Sequence, residues 1–312
     1  MDIRILLGLQ QFRESIGSPL ISFFQKMTFF GELTTAMVIM AIVYWCVDKD
    51  FGSYLLMGWS GNRLVNGFLK ITVCAYRPWI RDAAVIPYGD AMKTATGYSF
   101  PSGHTMNGAS IFGGCALRKD QPKGFRTVAG LVVLLIAFSR PFLGVHTPQD
   151  VLVGMAAGLL VMWLTIKLID WLSVHPEKDF VVVAAGVLLT ALLIVYASVK
   201  PYPADYDAAG NLIVDGAKMA NDTFKGAGYA MGFLIGWILE RRFVKFSTDV
   251  TIGCRITRLA AGLLSYYAVS LILVPLLKGW IGGAAGTFLS CFLQVFYIVF
   301  LFPLFMTKND KA

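Results

Sequence analysis

Charge is what this chain has least of. Asp, Glu, Lys and Arg make up 15% of its 312 residues, against roughly 25% in an ordinary soluble domain. So few charges cannot face a globular domain toward water, and that class is excluded. Histidine is scarcer still, with three residues, and the five cysteines (Cys46, Cys74, Cys115, Cys254, Cys291) stand singly. Cysteines so spaced make neither a disulfide framework nor a zinc site, and they read as free core thiols. No carboxylate cluster stands ready for a metal, and no cofactor is implied.

What fills the chain instead is apolar. Hydrophobic residues make up 56% of it and the mean hydropathy is +0.65. Runs that approach or reach the ~20 residues needed to cross a bilayer fall at 33–47, 51–70, 102–117, 127–141, 149–171, 180–199, 226–239, 259–277 and 283–306. Those at 51–70 and 102–117 are broken by polar residues and glycine, which suits a segment facing protein or a cavity. The fold class expected is an all-α polytopic membrane protein. Its net charge of +8 lies in short loops between spans, where it reports orientation and gives no reason to expect nucleic acid as a partner.

Residues 1–17 place Ile5, Leu9, Phe12 and Ile16 at helical spacing, with Arg4, Gln11, Arg13 and Glu14 elsewhere around the helix. Such a pattern fits an amphipathic helix in the membrane interface. The longest non-spanning segments, 71–101 and 200–225, are rich in turn residues, and long loops are often functional. Nine spans put both loops on one face with the N-terminus and the 141–148 turn. That face carries nine Lys and Arg outside the motifs described next, and the opposite face thirteen, Lys308 and Lys311 among them. The positive-inside rule therefore makes the long-loop face extracytoplasmic.

Three strings stand out there: Lys70-ITVCAY-Arg77-Pro78, Pro101-Ser102-Gly103-His104, and Ser139-Arg140-PFLGV-His146-TPQ-Asp150. Even numbers of crossings separate them, so they can meet in one pocket. Lys70, Arg77 and Arg140 are three cations that call for an anion, and the arginine fork suits phosphate oxygens. Pro101 fits a first helical turn, and Gly103 lets backbone N–H groups approach an anion at a helix start. Two histidines add what binding alone does not require. One can attack phosphorus and the other can protonate the departing oxygen. Asp150, four residues after His146, can accept an imidazole N–H and fix its tautomer.

On these residues the chain resembles the type 2 phosphatidic acid phosphatase (lipid phosphate phosphatase) family, which includes glucose-6-phosphatase and the vanadium haloperoxidases. The family pattern is Lys-x6-Arg-Pro, Pro-Ser-Gly-His and Ser-Arg-x5-His-x3-Asp, and all eleven specified positions are present. The motifs cover 70–150, and a looser likeness runs to about 199. The resemblance implies a six-helix phosphatase core plus about three C-terminal transmembrane helices. It implies His146 as nucleophile, forming a phosphohistidine, with Asp150 orienting it and His104 as general acid. Lys70, Arg77, Arg140, Ser102 and Gly103 would cradle the phosphate, and Ser139 would add a hydrogen bond or shape the turn. It further implies a metal-independent phosphatase acting on a lipid phosphate or diphosphate. A phosphotransferase with another acceptor, or a phosphatase of a soluble sugar phosphate, would share every one of these groups. The location implied is the plasma membrane or an endomembrane, with the site extracytoplasmic.

The organisation expected is an interfacial segment at 1–30, the core at 31–199, an extracytoplasmic loop at 200–225 and a transmembrane extension at 226–312. Arg63, Asn66 and Lys70 share one helix face, with Arg63 roughly 10 Å below Lys70 at ~1.5 Å per residue; it is expected to hold a structural partner. His175, in a short loop of the opposite face, is expected to be inert. Gly228, Gly232 and Gly236 write small-xxx-small twice, a close-packing face for the chain's own helices or for a homodimer.

Overall fold

The computed structural model describes residues 2–309. Met1 and 310–312, with Lys311 of the charge count and the tail of the 226–312 extension, lie outside the described residues. These are helical almost throughout and contain no strand, only an isolated bridge between Tyr206 and Leu212. Among the described residues five helices are long and apolar enough to cross a membrane: Lys123–Phe142, Pro148–Val174, Pro176–Val199, Ile252–Ile281 and Gly283–Thr307. The pair Ser18–Phe29 and Leu33–Val47, bent by 61°, makes a sixth if it is one broken span. The chain is thus an all-α, multi-pass membrane protein.

The nine expected segments are all helical, yet three do not meet that test, each for a compositional reason. Lys49–Val73 carries buried Ser53, Ser60, Asn62 and Asn66. The helical stretch 103–117 is short, and Asn107 and Ser110 are buried within it. Gly216–Leu239 begins ten residues before the expected 226, because Asp215 Oδ1 accepts the Ala217 N–H at 2.8 Å and the Lys218 N–H at 3.3 Å. A carboxylate in that position satisfies N–H groups the helix cannot. Its first turns therefore hold the polar residues that read as loop.

The chain divides into two compact units. The first comprises residues up to 36, 65–163 and 201–219. Its core gathers Ile21 and Phe24 with Ala91, Ala95, Phe142, Leu143 and Val145. Arg13 departs from the polar face the periodicity gave it. It is buried, donating to Phe142 O and Ile86 O at 2.8 Å each, and it lies over the Tyr88 ring. The N-terminal helix Asp2–Ser15 thus braces the end of Lys123–Phe142, while Ile5 and Phe12 stay exposed. The turn it braces needs Gly144, at φ +77 with Ile86 O and Pro87 Cα 3.3 Å from where a Cβ would stand.

The second unit comprises 37–64, 164–200 and the chain from 220. Here the glycine stripe finds its partner. A Cβ on Gly228 would lie 2.3 Å from Phe288 O, and one on Gly232 would lie 2.4 Å from Phe292 O; Gly236 faces Val299. Gly216–Leu239 and Gly283–Phe296 therefore meet backbone to backbone. The chain's own helix therefore occupies this glycine face, the first of the two uses expected for it. Trp45 Nε1 donates to Ile298 O at 2.8 Å, tying 37–47 to the same helix pair. Arg63 also belongs to this unit, its backbone packed on Gly226 and its Nε buried without a hydrogen-bond partner among the described residues.

Candidate active site

All nine residues singled out for chemistry lie in the first unit. Lys70 and Arg77 flank the end of Lys49–Val73, Ser102 caps the start of 103–117, and Ser139 to Asp150 span the turn between Lys123–Phe142 and Pro148–Val174.

The centre is His146, buried between a cation and a carboxylate. Arg77 Nη1 stands 2.9 Å from its Nε2, and Asp150 Oδ2 stands 3.3 Å from its Nδ1. A guanidinium can only donate, so Nε2 is the acceptor and the proton sits on Nδ1, facing Asp150. Burial first, then the Arg77 cation, hold the imidazole well below its ordinary pKa of 6.5. It is neutral at pH 7, with its lone pair on Nε2. Asp150 is itself tightly held: its Oδ2 accepts from Ser99 Oγ at 2.5 Å and from the Thr147 N–H at 2.8 Å. Neither Ser99 nor Thr147 was visible as a site residue. Ser99 is two residues before the Pro-Ser-Gly-His string, but no spacing rule links it to a carboxylate 51 positions on.

The cations divide by what they already hold. Arg77 is saturated by backbone, donating to Gly97 O, Val145 O and Thr96 O at 3.0 Å each. Burial lowers its pKa to about 10, which leaves it charged at neutral pH. Lys70 Nζ donates to Tyr98 O at 2.9 Å and Pro101 O at 3.3 Å, fixing the turn before Ser102. Arg140 is different. It is fully buried, its Nη1 donates to the Thr28 hydroxyl, and its Nε and Nη2 have no hydrogen-bond partner among the described residues. His104 Nε2 is likewise buried without a hydrogen-bond partner among the described residues, within electrostatic reach of Arg140, His146, Arg77 and Lys70. Buried donors are almost always satisfied, so an unpaired guanidinium edge with an unpaired imidazole nitrogen in electrostatic reach would suit an anion as its receptor.

The remaining residues shape this receptor. Ser102 Oγ caps the helix, accepting from the Thr105 N–H at 3.4 Å and from Thr105 Oγ1 at 2.9 Å, and its own N–H donates to Asp150 O at 2.9 Å. A Cβ built on Gly103 would meet Asn66 Oδ1 in ordinary contact at 3.9 Å. Ser139 Oγ donates back to Ile136 O at 2.7 Å, inside its own helix. Gly154 lets Pro148–Val174 come within 3.1 Å of Ser102 O, measured from a built Cβ. The N-terminal bend adds Thr28 and Gly31, the latter accepting from Asn107 Nδ2 at 3.0 Å. From the far loop, Tyr76 donates to Asp205, which pushes the phenol up to about 12, and the Met219 sulfur accepts the Tyr98 N–H at 3.4 Å. His175, by contrast, stacks on Trp171 outside this unit's site.

An all-α membrane protein with two histidines and three cations gathered in one site defines a class, and comparison with known proteins gives the family. Residues 51–173 match the PAP2 superfamily, and residues 224–311 match the transmembrane extension of PAP2 superfamily phosphatases. The chain belongs to the PAP2 superfamily. It is 35% identical over 121 residues to phosphatidylglycerophosphatase B of Bacillus subtilis (strain 168), covering 36% of this chain and 55% of that protein. It is 36% identical over 100 residues to lipid phosphate phosphatase delta of Arabidopsis thaliana, covering 29% and 22%. Undecaprenyl-diphosphatase of Sulfolobus acidocaldarius is 32% identical over 73 residues, covering 23% and 34%. The chain thus spans about half the length of the first of these relatives and less of the others. Among solved structures, the transmembrane PAP2 type phosphatidylglycerolphosphate phosphatase from Bacillus subtilis aligns at a TM-score of 0.43 and 26% identity, over 54% of this chain and 85% of that one.

Proposed function

We propose that this protein is a membrane phosphatase that hydrolyses a lipid phosphate or diphosphate through a phosphohistidine on His146. The observation that carries this reading is Arg140. Its Nε and Nη2 are buried and unpaired beside His104, while the cations around them are already bonded. Phosphate oxygens are the ligand that a guanidinium edge fits best.

In the proposed reaction, the phosphate takes the free edge of Arg140, and Nε2 of His146 exchanges its contact with Arg77 for phosphorus. The P–N bond forms as the ester or anhydride P–O bond breaks, and His104, charged by a proton that arrives with the phosphate anion, gives that proton to the leaving oxygen. Asp150 accepts the Nδ1–H throughout and offsets the charge that grows on the imidazole. In the second half, His104 takes a proton from water, the water oxygen attacks phosphorus, and the P–N bond breaks to release inorganic phosphate. Every proton and electron pair is accounted for by these side chains, the substrate and water, and the reaction needs no metal. The lipid preference is supported by relatives named for phosphatidylglycerophosphate, lipid phosphate and undecaprenyl diphosphate. A tail held between helices would also add remote binding energy that a soluble sugar lacks. The charge count supports an extracytoplasmic site.

Rapid quench with labelled substrate tests the mechanism. Acid-labile, base-stable phosphate should appear on the wild type and be absent from His146→Ala. His104→Ala should still be labelled by a nitrophenyl phosphate, whose leaving group needs no proton. Label persisting in His146→Ala would end the proposal. In mixed micelles, phosphatidate, phosphatidylglycerol phosphate, polyprenyl diphosphate and glucose 6-phosphate are then compared by kcat/KM, with released phosphate followed against phosphate moved to another lipid. Comparable turnover of the sugar phosphate would overturn the lipid assignment, and transfer without free phosphate would make the enzyme a transferase.

A further inference from the structure

We infer that the second unit holds a separate binding site for the phosphate-bearing headgroup of an anionic membrane phospholipid. The site is a cavity of about 330 Å³ lined by Lys49, Pro176, Asp179, Arg241, Arg242 and Lys245. None of these belongs to the reaction pocket, and the inference goes beyond the phosphatase reading.

Three separate segments converge on the cavity. Lys49 opens the helix Lys49–Val73, Asp179 opens Asp179–Val199, and Arg241 to Lys245 close Gly216–Leu239. Positive residues at span ends ordinarily report orientation alone, and for that a scatter over convex loops suffices. Here they are gathered into a concavity and held. Arg241 lies over the Trp237 ring with 4.9 Å to its centroid, and Arg242 lies over Phe180 at 5.1 Å. Stacking of this kind fixes a guanidinium plane before any ligand arrives.

The charges do not cancel. Buried Asp179 takes Arg242 at 2.6 Å and stands 3.7 Å from Arg241, and buried Glu240 takes Lys49 at 2.7 Å. Four cations thus meet two carboxylates, an excess of two positive charges. Arg241 Nε, the atom 3.7 Å from Asp179 Oδ2, is buried and has no hydrogen-bond partner among the described residues, so it keeps a donor to offer a ligand. Lys245 sits in the left-handed region at φ 52, which a residue with a side chain takes uncommonly. Its N–H donates to Glu240 O at 2.9 Å, closing the turn that brings it to the cavity.

The surroundings identify the source of the anion. Phe180, Phe243, Val47 and Val174 are exposed and apolar, and they belong to the same segment ends. They suit acyl chains, and basic pockets between spans at the headgroup level bind anionic lipids. A membrane-anchored phosphate meets both features, whereas a free phosphate meets only the charge.

The test uses the full-length protein in neutral detergent, with bound lipid counted by native mass spectrometry as phosphatidylglycerol or phosphatidylcholine is added. Phosphatidylglycerol should be retained and phosphatidylcholine should not. Lys245→Glu, a change at an exposed side chain, should weaken retention at least about fivefold, and Arg241→Gln/Arg242→Gln/Lys245→Gln should abolish it. His146→Ala should leave it unchanged, which separates this site from the reaction pocket. Undiminished retention in Lys245→Glu, equal retention of phosphatidylcholine, or loss in His146→Ala would overturn the inference. Displacement of the lipid by millimolar inorganic phosphate would make the ligand a free anion and overturn the assignment to lipid.

Discussion

Arg77 Nη1 stands 2.9 Å from Nε2 of His146, the nitrogen that would attack phosphorus. The same guanidinium is anchored on three backbone carbonyls. At rest it therefore caps the lone pair, and it sets the tautomer by being able only to donate. A phosphate that draws this Nη1 to one of its oxygens frees the nucleophile in the same motion.

The pH behaviour of His146 follows from its burial. Its folded pKa is lowered, so the neutral imidazole persists as pH falls below 6.5. The unfolded chain takes the proton first, and this group's share of stability is full above 6.5 and declines as pH falls toward the folded value. In a histidine-labelled sample assigned against His146→Gln, the NMR midpoint of His146 should lie below 6.5. Asp150→Asn should lower it further, because the carboxylate is what favours the charged ring. A midpoint at or above 6.5 in the wild type contradicts the neutral resting state.

Ser99→Ala removes the shortest hydrogen bond to Asp150. With one donor gone the carboxylate can turn, and His146 loses part of its orientation. Turnover should fall roughly tenfold, the equivalent of about 1.4 kcal/mol, with KM nearly unchanged. A change in KM alone would place Ser99 in substrate binding.

Gly232→Ala puts a methyl against Phe292 O where the helices meet. Overpacking of this kind costs about 1–3 kcal/mol, so Tm should drop by several degrees while the mass of the particle stays the same. An unaltered Tm with a change in oligomeric state would favour the dimer reading.

Chelation separates the proposed chemistry from metal catalysis. Activity should survive EDTA, and vanadate should inhibit by taking the five-coordinate geometry at His146. Loss of activity on chelation, restored by a divalent ion, would refute the side-chain mechanism.

Orientation is checked with single cysteines in a cysteine-free background. Asp90→Cys should react with an impermeant reagent on intact cells, and Asp249→Cys only after permeabilisation. The reverse result would put the site in the cytoplasm.

The sequence by itself determined the solvent this protein lives in and the groups proposed to do its chemistry. Long apolar runs have one stable outcome in lipid, the helix, and spacings such as Lys-x6-Arg and His-x3-Asp are local enough to be read along the chain. The glycine stripe likewise announced a close contact, though not with which helix. What only the tertiary structure decided is how the site is held. Ser99 reaches Asp150 across 51 positions, Thr28 reaches Arg140 across 112, and Arg13 reaches Phe142 O across 129. Arg13 reads from periodicity as a polar-face residue, and its burial depends on carbonyls that only the folded 141–148 turn presents. Helical period fixes which residues share a face. It does not fix what the face meets, because that is set by packing between segments far apart in the chain.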